Sequence, residues 1–123
     1  MKNFLLVFIG GGLGSISRYA LTFVFPANKS QWPWATFVAN LVASLILGFV
    51  VGLIADKVQN QHVYRAFWLT GFCGGFSTFS TFSAESLQTF QQGNALLSVS
   101  YMFLSFLTCV VFIAVGQWLG KLL

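Results

Sequence analysis

A decapeptide of glycine, hydroxyl and phenylalanine residues is the part of this sequence best suited to chemistry. Residues 74 to 83 read Gly-Gly-Phe-Ser-Thr-Phe-Ser-Thr-Phe-Ser in a chain that is 57% hydrophobic. Its phenylalanines recur every three residues, which suits a 3₁₀-like or broken stretch better than an α-helix of 3.6 residues per turn. The double glycine supplies a place for the break. Carbonyls freed there could bind a cation, and N–H groups and hydroxyls could bind an anion.

The same residues also have a purely structural interpretation. Ser and Thr hydroxyls can bond to the preceding helical turn, and phenylalanines can fill a core. The positive edge of a phenylalanine ring can, however, solvate an anion. Glu85 follows the repeat by two residues and is the only carboxylate within a predicted membrane span. Such an acid is commonly a proton relay or a cation site, so an anion path requires it to be protonated, paired or turned aside.

Four apolar stretches must position these residues. Only 7% of the 123 residues are charged, whereas soluble domains carry about 25%. A bilayer core of roughly 30 Å takes roughly 20 apolar residues per helix. We predict an all-α integral membrane protein in which residues 1–123 form a single four-helix domain. The predicted spans lie near residues 3–25, 33–55, 65–91 and 95–120.

The second span carries polar and small residues at a strict four-residue spacing. This spacing places them along one helix face: Thr36, Asn40, Ser44, Gly48 and Gly52. The face is suited to close contact with another helix, with Asn40 as an interhelical hydrogen-bonding residue. Alternatively, Asn40 donates an amide N–H to a bound or permeating anion. Both interpretations remain open at this point.

The first and fourth spans add further candidates. Arg18 follows several glycines and serines in the first span, and a guanidinium at such a depth either reaches an interface or lines an aqueous cavity. Its charge would raise the local anion concentration. In the fourth span Tyr101, Ser105, Thr108 and Phe112 share one face. That face either continues a polar pathway or forms a polar seam between helices.

The charge distribution predicts an orientation in the membrane. The net charge of +4 belongs to short loops and helix ends, so we do not expect a nucleic-acid partner. Four cationic residues fall on one side, Lys2, Lys57, Arg65 and Lys121, against one or two on the other, Lys29 and, if it lies near that side, Arg18. This bias favours both termini in the cytoplasm. The small-residue faces of the first two spans predict a second copy of the chain as partner.

Three motifs together resemble the Fluc (CrcB-type) family of fluoride channels, and the resemblance covers the whole chain. They are the run at residues 74–83, Gly11-Gly12-Leu13-Gly14 leading to Arg18-Tyr19, and Phe37-Val38-Ala39-Asn40-Leu41. The resemblance implies a passive fluoride-selective channel, not an enzyme, that exports fluoride across the cytoplasmic (inner) membrane. It also implies an antiparallel, dual-topology homodimer in the lipid bilayer, with two pores and a structural sodium ion (Na⁺) between the broken third helices.

The resemblance also assigns roles to individual positions. It implies a fluoride pathway formed by Asn40, Phe79, Phe82, Ser80, Thr81, Ser105, Tyr101 and Glu85. Phe79 and Phe82 would present ring edges to the ion, and Arg18 would lie in the vestibule. The backbone carbonyls of Gly74 and Ser77 from both subunits would hold the sodium ion.

Two other classes of membrane protein compete with this interpretation. A small proton-coupled multidrug-type transporter would use Glu85 as its binding residue and aromatic side chains as a cage for an organic cation. A structural or holin-like protein would leave the phenylalanine repeat unexplained. The charge bias also conflicts with dual topology, because insertion in both orientations needs nearly balanced charges. Either the bias is too weak to decide the orientation, or a partner chain of opposite orientation exists.

Overall fold

Helices form almost all of the protein that the structure describes. A computed structural model describes residues 1–27, 31–55 and 59–123, and these ranges contain no strand. The helices, in our labels, are α1 (Lys2–Val24), α2 (Trp34–Ile54), α3 (residues 61–76), α4 (Phe79–Gln91) and α5 (Ala95–Leu122). Helix α3 is continuous but changes type, from α-helix at Gln61–Tyr64 to π-helix at Arg65–Cys73 and back to α-helix at Gly74–Phe76. Lys29 and Lys57, used in the charge count, lie outside the described residues.

Three of these helices are long and apolar enough to cross a membrane. They are α1, α2 and α5, and their ends lie within a few residues of the predicted spans. The third predicted span, residues 65–91, corresponds to part of α3 followed by α4, which are separate helices. The helical class and three apolar spans are therefore confirmed, and the fourth span stays a prediction.

Glycines allow the helices to pack backbone against backbone. A Cβ at Gly48 would collide with the Ile113 carbonyl, and one at Gly116 would collide with the Leu45 carbonyl, so α2 and α5 contact each other through reciprocal glycines. Gly52 meets Gln117 in the same way. Because ascending positions of α2 meet ascending positions of α5, the two helices run parallel. The glycine end of the Thr36-to-Gly52 face is therefore a helix-packing surface, but it packs within the chain, so it is not the contact with a second copy that the sequence predicted.

Helices α1 and α3 form a second seam of the same kind. A Cβ at Gly14 would meet the Phe72 carbonyl, and one at Gly75 would meet the Gly11 carbonyl. Residue numbers rise along both helices in the same direction, so α1 and α3 are parallel.

Helices α1 and α2 contribute to a small cluster built around Ala39, Ala43 and Phe76, in which Leu21 and Phe72 also pack.

The double glycine is not the place where the chain breaks. Gly74 and Gly75 have helical conformation, and helix α3 ends only after Phe76. Ser77 has ψ 157° and Thr78 has φ −151° and ψ 119°, so these two residues are extended. Gly75 is needed instead for the close approach to Gly11. The expectation of a break at Gly74-Gly75 was thus wrong by two residues.

Of the two geometries expected for the repeat, 3₁₀-like or broken, the 3₁₀-like one was wrong: the extended residues Ser77 and Thr78 interrupt the repeat between α3 and α4. Phe79, Ser80 and the residues that follow belong to α-helix α4, and the segment before the double glycine is π-helical. Phe79 and Phe82 are three residues apart on α4 and are neighbours, whereas Phe76 belongs to α3. Phe76 is buried at 6% exposure, Phe82 is half-buried and Phe79 is 79% exposed.

Candidate anion pathway at the helix break

The Asn40 side chain holds the extended backbone between α3 and α4. Its Oδ1 accepts a hydrogen bond from the Thr78 N–H at 2.7 Å, and its Nδ2 donates to the Thr78 carbonyl at 3.3 Å. One amide group therefore satisfies both polar groups of a residue that has left the helix. An amide carries two N–H donors, so a second N–H of Asn40 remains for another partner.

Thr78 begins the next helix with its own side chain. Its Oγ1 accepts from the Thr81 N–H at 3.3 Å and donates to the Thr81 Oγ1 at 3.0 Å. This is the usual role of a threonine N-cap, which satisfies one of the first backbone N–H groups of a helix. Asn40 and Thr78 together thus fix where α4 starts, and α4 in turn positions Phe79, Phe82 and Glu85.

A narrow groove of about 250 Å³ lies on one side of this break. Four of the predicted pathway residues line this groove together: Asn40, Phe79, Phe82 and Ser105. The Phe79 and Phe82 rings are 5.9 Å apart between centroids, at 40° to each other. Ser44, Ser77, Thr78, Phe106 and Cys109 complete the lining. No charged residue of the described chain lines the narrow groove.

Ser105 has an unused hydroxyl in the narrow groove. The residue is only 5% exposed, and its Oγ has no hydrogen-bond partner within the described part of the chain. A buried hydroxyl without a partner costs free energy, roughly 1–3 kcal/mol by mutational data. A ligand in the groove would remove that cost by accepting a hydrogen bond from the hydroxyl.

A wider cavity of about 830 Å³ lies on the other side of the break. Its lining includes Arg18, Thr81 and Glu85, together with Ser15, Thr22 and Gln88. Thr78 lines both spaces and so stands between them. No side chain in the described ranges pairs with the Arg18 guanidinium, which leaves its positive charge to act on ions in the cavity.

Glu85 is held by two hydroxyl groups. The Thr36 Oγ1 donates to one carboxylate oxygen at 2.7 Å, and the Tyr101 hydroxyl donates to the other at 3.0 Å. Tyr101 is 1% exposed and lies against Phe82, with ring centroids 5.1 Å apart. Both carboxylate oxygens therefore accept a hydrogen bond from a neutral hydroxyl.

Two of the predicted pathway residues line neither space. Tyr101 is buried behind Glu85 and Phe82, so it acts on the pathway only through them. Ser80 is exposed and lines neither the groove nor the cavity.

Thr36 and Thr78 are site residues that were not predicted from the sequence. Thr36 stands four residues before Asn40 on the same face of α2, a spacing that could have suggested a shared neighbour. Nothing in the sequence distinguishes Thr78 from Thr81.

Sequence comparison decides the family. The chain matches the family described as "CrcB-like protein, Camphor Resistance (CrcB)" over residues 5–117. It belongs to the CrcB-like family. Among the relatives of this CrcB-like chain, a protein of Francisella philomiragia named "Fluoride-specific ion channel FluC" is 40% identical over 91% of this chain and 89% of its own length.

Relatives from distant organisms have the same name. The protein of Pyrococcus abyssi is 38% identical over 98% of both chains, and that of Phocaeicola vulgatus is 34% identical over 98% of this chain and all of its own. Both are named "Fluoride-specific ion channel FluC". The resemblance inferred from three motifs is confirmed, and the CrcB-like chain is a membrane protein of an ion channel family.

Proposed function

We propose that this CrcB-like chain is a passive, fluoride-selective ion channel that lowers the cellular fluoride concentration. The observation that carries the proposal is the narrow groove, where two phenylalanine rings, an amide and an unpartnered buried hydroxyl converge without a charged residue. Ring edges, N–H and O–H groups all present positive partial charge, which suits a small anion. The full-length relatives named as fluoride-specific channels supply the identity of that anion.

The path of the ion runs from the wide cavity to the narrow groove. Arg18 attracts anions into the wide cavity, which Glu85 lines with the opposite charge. Thr78 lines both spaces, Thr81 lines the wide cavity, and Phe79, Phe82, Asn40 and Ser105 line the narrow groove. The hydroxyls of Thr36 and Tyr101 hold Glu85 and reduce its repulsion of an entering anion.

A second copy of the chain completes the groove. Phe79 is 79% exposed although it lines the narrow groove, and much of α1 is apolar and exposed, including Phe4, Phe8 and Ile16. Lipid could cover α1, but a ring edge that binds an anion must be kept away from hydrocarbon. We therefore propose an antiparallel, dual-topology homodimer in the cytoplasmic membrane, in which the partner covers Phe79.

Helices α3 and α4 together form the fourth span of this proposal. Helix α3 runs parallel to α1 along its glycine seam, and α4 continues beyond the two extended residues. Extended backbone is tolerated at membrane depth only where protein or a water-filled space satisfies its polar groups. The Asn40 side chain forms hydrogen bonds with both the N–H and the carbonyl of Thr78.

The backbone at the break also fits a structural sodium ion. In a continuous helix the Gly74 carbonyl accepts from the Thr78 N–H, but that N–H donates to Asn40 instead. The Ser77 carbonyl likewise loses the Thr81 N–H to the Thr78 hydroxyl. Freed carbonyls are suitable cation ligands. A sodium ion held by Gly74 and Ser77 of two subunits would link the subunits and satisfy these carbonyls.

The proton-coupled transporter remains the alternative. It would require Glu85 to bind or release the coupled proton while substrate occupies the site. The channel is preferred because Glu85 is already paired with two hydroxyls and because the relatives are named as channels.

Ion efflux from liposomes tests the proposal. Purified protein is reconstituted, and valinomycin-driven efflux is followed with a fluoride electrode and, in parallel, a chloride electrode. Rapid fluoride release with no chloride release supports the channel. Folded protein that releases no fluoride would refute it.

A further inference from the structure

We infer that Asn40 and the Thr78 hydroxyl keep the carbonyls of Gly74 and Ser77 available to a cation, and so set the sodium affinity of the dimer. The inference rests on the proposed sodium site and assigns positioning roles to two side chains that need not touch the ion. It also links the ion pathway to the cation site, since Asn40 lines the narrow groove.

The hydrogen bonds identify which side chain frees which carbonyl. An α-helix joins the N–H of residue i to the carbonyl of residue i−4. By that rule Thr78 would pair with Gly74, and Thr81 would pair with Ser77. Instead, the Thr78 N–H donates to Asn40 Oδ1 at 2.7 Å, and the Thr81 N–H donates to the Thr78 hydroxyl at 3.3 Å. Each of the two carbonyls thus lacks the N–H that a continuous α-helix would give it, and that N–H is bonded to a side-chain acceptor.

The neighbouring bonds show that the diversion is local. The Ser77 N–H still donates to the Cys73 carbonyl at 2.9 Å, so regular pairing persists up to that residue. Beyond the break, the Ser83 hydroxyl donates to the Phe79 carbonyl at 2.9 Å within α4. The backbone leaves the helix only at Ser77 and Thr78, where these side-chain acceptors act.

Removing either acceptor should restore the helical pairing. Without Asn40 Oδ1, the Thr78 N–H has the Gly74 carbonyl as its nearest alternative acceptor, because an unpaired N–H at membrane depth is costly. A carbonyl that accepts an N–H is a poorer cation ligand. The same argument applies to Thr81 and Ser77 when the Thr78 hydroxyl is lost.

Conservative variants separate positioning from a general structural role. Asn40→Leu removes the acceptor while keeping the shape, whereas Asn40→Asp keeps an oxygen for the Thr78 N–H in either protonation state. Thr78→Val removes the capping hydroxyl, and Thr78→Ser keeps it. Thr89→Val is the matched control, because the Thr89 hydroxyl donates to the Glu85 carbonyl of its own helix.

The experiment measures how sodium stabilises the purified dimer. The dimer fraction and the thermal unfolding midpoint are followed in detergent while sodium replaces N-methylglucamine at constant ionic strength. Asn40→Leu and Thr78→Val should raise the sodium concentration at half-effect by about tenfold or more, which corresponds to about 1.4 kcal/mol or more. Thr78→Ser and Thr89→Val should stay near the wild-type value, and Asn40→Asp should not raise it.

Each result supports or overturns the inference. If wild type responds to sodium and both acceptor-removing variants respond equally well, the inference is wrong while the sodium site stands. If wild type does not respond, both are wrong. Should Asn40→Leu form no dimer at saturating sodium, the comparison of Thr78→Val with Thr78→Ser decides alone. Fluoride efflux is measured separately, so failure of the channel proposal would be seen independently of the sodium titration.

Discussion

The narrow groove and the wide cavity share Thr78 but differ in size and charge. The wide cavity, about 830 Å³, contains Arg18 and Glu85, whereas the narrow groove, about 250 Å³, is lined by neutral residues among those described. A charge in a wide aqueous space attracts ions of opposite sign without distinguishing among them. Fixed neutral donors in a narrow space can select by size and geometry. In the proposed channel, the cavity would collect anions and the groove would select them.

Hydrogen bonding differs between the two spaces as well. In the wide cavity both carboxylate oxygens of Glu85 already accept bonds. In the narrow groove the Ser105 hydroxyl has no partner within the described residues, and Asn40 retains a second N–H. Residues with unused donors should affect conduction more than residues whose bonding is complete. The following predictions test that order.

The largest effect is expected from the phenylalanines of the groove. Phe82→Ile should reduce fluoride efflux about tenfold, because aromatic contacts of this kind are worth up to about 1.5 kcal/mol, close to one factor of ten. Phe79→Ile should act in the same direction. Efflux from liposomes measures both, with Phe103→Ile as control, since Phe103 is exposed on α5 away from the groove. Unchanged efflux in both groove variants would remove the rings from the pathway.

A smaller effect is expected from the unpartnered hydroxyl. Ser105→Ala should lower fluoride efflux about fivefold, because a typical hydrogen bond contributes about 1 kcal/mol. The same change should leave the unfolding midpoint unchanged or raise it, since it removes a buried hydroxyl without a partner. The control is Ser83→Ala, whose hydroxyl bonds to its own helix. A large loss of stability would instead indicate that Ser105 has a structural partner.

The Arg18 effect should depend on salt. Arg18→Gln should lower fluoride conduction about two- to threefold at low ionic strength and less at high salt, because the attraction is screened over about 10 Å at 0.1 M. Planar-bilayer currents at two ionic strengths measure this. Arg65→Gln is the control, since Arg65 is exposed and does not line the cavity. A salt-independent loss would place Arg18 in direct contact with the permeating ion.

The smallest effect is expected at Glu85. Glu85→Gln should change fluoride conduction less than about twofold, since a passive channel needs no proton acceptor and the Thr36 or Tyr101 hydroxyl can rotate to accept from the new amide. Efflux at two external pH values measures it. Abolished transport would favour the proton-coupled alternative.

Patterns along the chain predicted the helices and the α2 face well. Apolar runs set the ends of α1, α2 and α5 to within a few residues. The four-residue spacing from Thr36 to Gly52 correctly placed polar contacts at one end and backbone packing at the other. These features depend on local periodicity, which the sequence records directly.

The position of the break could not be predicted in the same way. Gly75 serves a contact with Gly11, sixty-four residues earlier in the chain, and the break follows the bond between Asn40 and Thr78. The decapeptide contains several chemically equivalent hydroxyls, and only its tertiary partner distinguishes Thr78. The two spaces themselves exist only once distant helices are packed.

The most direct test of the central claim is the reversal potential of the fluoride current in planar bilayers with a proton gradient imposed. A passive fluoride channel gives a current that reverses at the fluoride equilibrium potential, whatever the proton gradient, with no measurable chloride current. A reversal potential that shifts with the proton gradient would contradict the passive channel and direct attention to Glu85.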